Sequence, residues 1–311
     1  MDFELRVDSG KKVIEPLVCG EVLYESFEQG RCSKLSFDIL ADSQSAVTEG
    51  DIVSLRVGGS GVFLGVVFGR RQSGGVVSVY AYDSLRYLKN RDTYVYEKQR
   101  ASDIVRRIAM DYNLRLGEIA QTKYVIASRV EDNVSLAEMI ANALDIELSQ
   151  TGRRYVLYDE FGALRLAEQS RMKSKAVIDA TNSGTVSFAS SVDNRSNRIK
   201  VARYDKKAGK REIGVASDSA SEKRIGVLQH YVRVGARSDV KLTEHANALL
   251  KLQNKNDTAI SVGGIVGDVR VRGGVSVTVD LPVFSGEAHV TRCLHRLLPE
   301  RHLMDVVLRI G

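Results

Sequence analysis

The chain has 311 residues, enough for two domains or three small ones at roughly 100–200 residues each. Its 43% apolar content can bury a sizeable core, while 6% aromatics and the absence of Trp argue against a sugar- or single-strand-stacking platform. Lys and Arg total 45 against 39 Asp and Glu, and this net charge of +6 is spread as short pairs such as Arg70-Arg71, Arg106-Arg107 and Arg153-Arg154, the pattern of a solvated basic surface rather than a nucleic-acid face.

Residues 1 to about 85 read as short strands joined by turn chemistry. Apolar side chains alternate in Lys34-Leu35-Ser36-Phe37-Asp38-Ile39, and Val53, Leu55 and Val57 repeat the pattern after Glu49-Gly50-Asp51. Gly58-Gly59-Ser60-Gly61 and Gly74-Gly75 supply tight connections, so a small sandwich or barrel is expected.

From about 90 to 170 the period becomes helical. Ser102 is positioned to cap a helix carrying Ile104, Val105, Ile108, Ala109 and Tyr112, and Ser135 with Glu138 forms a capping-box pair before Leu136, Met139, Ile140, Ala143 and Leu144. Tyr155 to Leu166 reads as a hairpin turning at Asp159-Glu160-Phe161-Gly162. Strands return after about 175, interrupted by the polar stretch DKKAGKREIGVASDSASEKR, expected as a hairpin tip or mobile loop, and by a third helix burying Leu242, Ala246, Leu249 and Leu250. The predicted class is α+β, mainly β, with units at 1–89, 90–174 and 175–311, the last carrying an inserted loop and helix around 206–255.

The two ends resemble each other. EGDIVSLRV (49–57) and RGGVSVTVD (272–280) share a charged glycine turn followed by alternating apolar residues, and each leads through an apolar strand to another, VVSVYAY or LMDVVLRI. One β design is therefore expected twice, with the α+β unit between.

Chemistry is hard to place. There is no HExxH, GxSxG or Walker loop, and the glycines of GGSGVFLG and GGIVGDVRVRGG lie between strands rather than before a helix. His230, His245, His289, His295 and His302 all fall in the last third. Strand alternation would put His289, Cys293 and His295 on one face, yet without a fourth zinc ligand or an orienting partner for a thiol-imidazole pair. Asp159-Glu160 suits a turn, and Glu131-Asp132 suits the start of a helix. No catalytic, metal or cofactor residue is assigned. Cys19, Cys32 and Cys293 are an odd number without CxxC, suited to a reducing compartment. No window approaches about 18 uninterrupted apolar residues, and MDFELRVDSGKK lacks the apolar core of a secretory signal, which predicts synthesis in the cytoplasm.

The ordered string EGDIVSLRV, VYAYDSLRYLKN, ASDIVRRIAMDYNL, YVLYDEFGALRL, NRIKVARYD, IGVLQHY, HANALLKLQN, VGDVRVRGGVSVTV and CLHRLLPERHLMDVVLRI resembles the XkdQ/YqbQ family of contractile-tail baseplate hub proteins across nearly the whole chain. The resemblance implies two tube-type β-barrel domains flanking the α+β domain, and a homotrimeric ring like the central hub of T-even phage baseplates. Three chains would present six barrels to a hexameric tail tube above and hold a spike or needle protein below. Neighbouring baseplate proteins, and the tape measure protein in the lumen, are the other implied partners, with no membrane and no specific nucleic acid. It also implies a non-enzymatic protein without cofactor, made in the bacterial cytoplasm and carried in a virion or tail-like bacteriocin particle. The family's histidine pair falls on His295 and His302, with a packing or turn-fixing role.

A second reading comes from the first helix, which with Leu114 and Gly117-Glu118-Ile119 resembles part of a LysM repeat. That pattern, which an ordinary packing helix also produces, points to a peptidoglycan-binding or peptidoglycan-hydrolysing tail protein. Nucleic-acid binding is a third, resting on the basic charge alone.

Overall fold

The computed structural model describes residues 3–28, 30–41, 47–205, 209–234 and 240–310. The first half is built from β1 (Phe3–Asp8), β2 (Val13–Ile14), β3 (Val18–Phe27), β4 (Lys34–Leu40), β5 (Ile52–Val57), β6 (Ser60–Ser73) and β7 (Val76–Tyr82). Alternation decides the buried face: β4 turns Leu35, Phe37 and Ile39 inward and β5 turns in Val53, Leu55 and Val57. These residues pack with Leu5, Val7, Phe63 and Val79 in one core.

The central unit follows a short 3-10 turn at Ser84–Lys89. It comprises β8 (Arg91–Gln99), α1 (Ala101–Asp111), β9 (Leu116–Ile119), β10 (Ile126–Ser135), α2 (Leu136–Thr151), β11 (Tyr155–Glu160) and β12 (Ala163–Glu168). The two helices bury their apolar stripes together, Ile104, Val105 and Ile108 with Met139, Ile140 and Ala143. Ser135 caps α2 as expected, its hydroxyl accepting from Glu138 N–H at 3.3 Å. Ser102 does not cap α1. Arg100 holds the N-cap position, with Asp103 accepting its N–H at 3.0 Å, while Ser102 is buried inside the helix against Thr122. An acidic residue three positions into the helix bonds back to the N-cap N–H, the return half of a capping box, and the serine one residue before it pairs inward.

The second half consists of β13 (Lys173–Asp179), β14 (Thr185–Ser191), β15 (Arg198–Asp205), β16 (Lys210–Ser217), α3 (Ser219–Ile225), β17 (Gln229–Val234), α4 (Leu242–Gln253), β18 (Asp257–Val266), β19 (Ser276–Leu281), β20 (Phe284–Leu298) and β21 (Arg301–Arg309). Between β14 and β18 the chain makes a separate three-stranded sheet, β16-β15-β17, covered by α4 with a small core of Ile199, Val201, Ala216, Ala246 and Leu249. Ser196 N–H donates to Gln253 carbonyl at 3.1 Å, so the insertion leaves and returns at one place.

The polar stretch expected to be a hairpin tip or mobile loop does turn the β15–β16 hairpin, but it is mostly regular structure. Only its tip, 206–208, lies outside the described residues, and the rest is β16 and α3. The inward positions of β16 are Gly214 and Ala216, too small to register as hydrophobic alternation, and a Cβ at Gly214 would meet the Leu242 carbonyl carbon at 2.4 Å. That glycine lets α4 approach the strand closely.

The two ends share a pairing order. The first half runs β3-β4-β7-β6-β5-β1 and the second β14-β18-β21-β20-β19-β13. The long strands carry the same irregularity, a register slip between Val67 and Gly69 in β6 and between Val290 and Arg292 in β20. Just before it, Val66 faces both Ile52 and Tyr82, as His289 faces both Ser276 and Arg309. The entering turns match too. Gly50 N–H donates to Val67 carbonyl at 2.9 Å and Gly274 N–H to Val290 carbonyl at 2.7 Å, at φ +97° and +92°. The equivalence therefore runs 50–57 with 274–281, shifted by one residue from the alignment read in the sequence. One departure remains: β1 lies antiparallel to β5, whereas β13 lies parallel to β19.

The two ends are not separate sheets. β3 of the first half pairs with β20 of the second, joining both into one 13-stranded sheet that is open among the described residues. The class is thus mainly β with few helices, and the described strands trace no closed barrel.

Candidate assembly site

The junction between the halves is an antiparallel ladder running from Val22 opposite Leu297 to Phe27 opposite Arg292, and Glu28 N–H extends it to Thr291 carbonyl at 2.8 Å. Its core face is dry: Tyr24, 4% exposed, stacks on His295 with centroids 5.7 Å apart. Its other face carries charge pairs, Arg292 with Glu25, Arg309 with Glu28 at 2.9 Å and Arg296 with Glu21 at 3.7 Å. Gly273 lies flush against the ladder, donating its N–H to Ser26 Oγ at 3.1 Å, and a Cβ there would meet the Phe27 carbonyl carbon at 2.1 Å.

Behind the ladder sit the residues that the sequence singled out. His295 Nε2 donates to Val271 carbonyl at 2.8 Å, so its Nδ1 is an acceptor and takes a hydrogen bond from His302 Nε2 at 2.9 Å. Cys293 Sγ lies 3.2 Å from His295 Nε2. Burial pushes His295 down to about 4, against the opposing pull of the Val271 bond, and lowers His302 as well. Burial also raises the Cys293 thiol. The pair is therefore neutral packing, pinned by Gly267, where a Cβ would meet the His302 ring at 2.2 Å. His289 does not join it. The slip at Thr291 reverses the alternation, leaving His289 with the outward residues of β20, bonded to Ser276 Oγ at 2.9 Å. Among the described residues no group of three or more His, Cys, Asp or Glu is placed to hold a metal.

A second buried cluster, missed from the sequence, ties all three parts together. Asp83 follows β7, Asp159 belongs to the β11–β12 hairpin, and Arg272 leads into β19. Asp83 accepts from Ser33 N–H at 2.9 Å and Leu85 N–H at 3.1 Å, while Asp159 accepts from Ser84 Oγ and from Gly162 N–H at 2.7 Å. Arg272 donates to Asp159 carbonyl at 3.0 Å and lies 4.1 Å over the Tyr158 ring. Burial, reinforced by the charge of Asp159, raises the Asp83 carboxyl to about 7, and burial raises Asp159. Asp159 looked like a turn former because it is one; only the tertiary contact adds the second carboxylate.

The other two histidines lie on the insertion. His245 on α4 reaches Gln150 on α2 at 3.1 Å, holding the insertion against the central unit, and His230 lies in β17 opposite Ile199. A groove of about 340 Å³ beside β9 and β12 has a charged lining, but Arg153 is paired with Glu168 and Arg165 with Glu160.

Of the strand edges that lack a partner among the described residues, two belong to strands occupying equivalent positions to those of the internal junction. β14 ends the sheet and pairs only with β18, leaving Val186 41% and Phe188 52% exposed. In β6 the β5 side is open beyond Val67, where Arg70, Arg71, Gln72 and Ser73 are exposed.

Two halves with the same strand order, joined in one sheet with a helical unit between them, define a mainly β fold of the kind found in phage tail proteins. The chain matches the YQBQ-like family over residues 22–309 and belongs to it. It is 32% identical over 246 residues to the uncharacterized protein YqbQ of Bacillus subtilis, covering 77% of this chain and 74% of that protein. It is also 32% identical over 249 residues to the phage-like element PBSX protein XkdQ of the same organism, covering 76% and 74%. In fold it is similar to the tail protein of Neisseria meningitidis MC58, with TM-score 0.71, 14% identity, and coverage of 100% of this chain and 97% of that one. It is likewise similar to the E. coli c3393 protein, a type VI secretion component described as resembling the T4 tail proteins gp27 and gp5, with TM-score 0.60, 10% identity, and coverage of 99% and 77%. No helix among the described residues is long and apolar enough to cross a membrane.

Proposed function

We propose that this chain is the structural hub subunit of a contractile phage tail or tail-like bacteriocin baseplate. Three copies form a ring whose six tube-like β modules, two from residues 1–89 and 175–311 of each chain, meet the hexameric tail tube above. A spike or needle protein binds below, with the central unit, 90–174, and the insertion facing neighbouring baseplate proteins. The barrel wall is then completed between copies rather than within one chain. The protein is made in the bacterial cytoplasm and leaves in the particle, and its role requires no catalytic residue or cofactor.

The observation that carries this reading is the repeated strand order, with the two halves joined edge to edge. A three-fold ring matches a six-fold one when each subunit offers the same surface twice. Quantitative mass spectrometry of gradient-purified tail particles tests it. Three copies per particle, half the number in one tube ring, is the expected result; absence from the particles or a clearly different stoichiometry overturns it.

A further inference from the structure

We infer that the contact between neighbouring copies is a β ladder between the β14 edge of one chain and the open β6 edge of the next, in the register of the internal β3–β20 junction. The inference rests on the ring reading and names its seam. The internal junction is itself a contact between one half's outer strand and the other half's long strand. Pairing registers equate β14 with β3 and β6 with β20. Facing the same strand positions, Tyr24 and Phe188 correspond, as do Leu23 and Ser187, which places Val22 and Val186 two residues before the first pair. Past the shared slip, Gly69 corresponds to Arg292, Arg70 to Cys293, Arg71 to Leu294, Gln72 to His295 and Ser73 to Arg296.

Transferring the internal ladder onto these equivalents fixes the register. Ser190 falls opposite Arg70, Ala189 opposite Arg71, Phe188 opposite Gln72 and Ser187 opposite Ser73 of the next chain. The residues that the internal junction buries, Tyr24 and Val22, are those whose counterparts Phe188 and Val186 are left exposed. Both edges offer unpaired backbone groups, and pairing them satisfies both at once. The contact is head-to-tail, since each chain presents one β14 edge and one β6 edge, so it closes into a ring or runs on as a filament. It cannot copy the junction at every position. Glu49 stands where Gly273 admits β3, so the ladder parts at the Ser191 end.

Engineered cysteines test the register. Glu28 and Thr291 share a bond in the internal ladder, so Leu23 opposite Arg296 is a non-hydrogen-bonded pair, the closer kind and suited to a disulfide. The corresponding Ser187→Cys and Ser73→Cys changes, made together in the full chain with Cys19→Ser, are oxidised with diamide and run on non-reducing gels beside native mass spectrometry. Linked species ending at three chains, reversed by dithiothreitol and absent from either single variant or from Ser187→Cys with Arg71→Cys, are expected. A ladder running past three chains keeps the seam and overturns the ring. Trimers that stay unlinked overturn the seam and leave the ring. Chains that remain monomeric and unlinked at the same concentration overturn both.

Discussion

Gly50 and Gly274 hold the same turn in the two halves of the sheet, at φ +97° and +92°, and differ in what stands beside them. A Cβ at Gly50 would meet nothing within 4 Å, whereas one at Gly274 would meet Val156 Cγ1 at 2.7 Å. Gly50→Ala therefore adds backbone strain alone, about 1 kcal/mol, and Gly274→Ala adds overpacking for a total of about 3 kcal/mol. Urea unfolding of the two variants checks this; equal losses would remove the Val156 contact from the account.

The His295–His302 pair makes stability depend on pH. His295 falls from an ordinary value near 6.5 to about 4 in the fold, so between those values the unfolded chain binds a proton that the folded chain does not. Stability contributed by the neutral ring is full above 6.5 and is lost as pH falls toward 4, by up to about 3 kcal/mol. His295→Gln, which has no proton to gain, should lose that slope even though it is less stable at pH 7.5. Denaturation at pH 7.5, 5.5 and 4.5 compares the two proteins.

Asp83 acts with the opposite sign. Its raised carboxyl keeps a proton in the fold that the unfolded chain releases, so its contribution declines as pH rises from the ordinary carboxylate range to about 7. Asp83→Asn forfeits one of the two backbone hydrogen bonds but cannot ionise. The stability of the variant relative to the parent should therefore rise steadily between pH 4 and 7.5 in the same unfolding measurements. A constant difference would mean that Asp83 titrates normally.

On the proposed reading as a structural hub, the chain should release no soluble fragments from peptidoglycan. Dye-labelled sacculi incubated with the pure chain read this directly; release above a heat-denatured control would favour the wall-hydrolase reading.

Much of the local structure was legible in the sequence. Alternation located β4, β5 and β19, the Ser135–Glu138 pair located the start of α2, and glycine turns located the connections of the first half. Where local signals competed, they misled. Ser102 has the right chemistry for a cap, but the helix begins before it at Ala101, and Asp103 bonds back to the Arg100 N–H at the N-cap. β16 carries small residues inward, so its pattern resembled a loop. The zinc-like spacing of His289, Cys293 and His295 assumed an unbroken strand, and one extra residue at the slip places His289 on the other face.

The sequence by itself signalled the repeat, because the two stretches carry the same alternation after a charged glycine turn, although its alignment was one residue off the one that the Gly50 and Gly274 turns define. The tertiary structure alone decided how the repeats meet. Backbone pairing between β3 and β20 leaves no trace in side-chain periodicity, since any extended edge offers the same donors and acceptors. The buried Asp83–Asp159 pair was equally invisible, because its two carboxylates approach only when three distant segments are packed together.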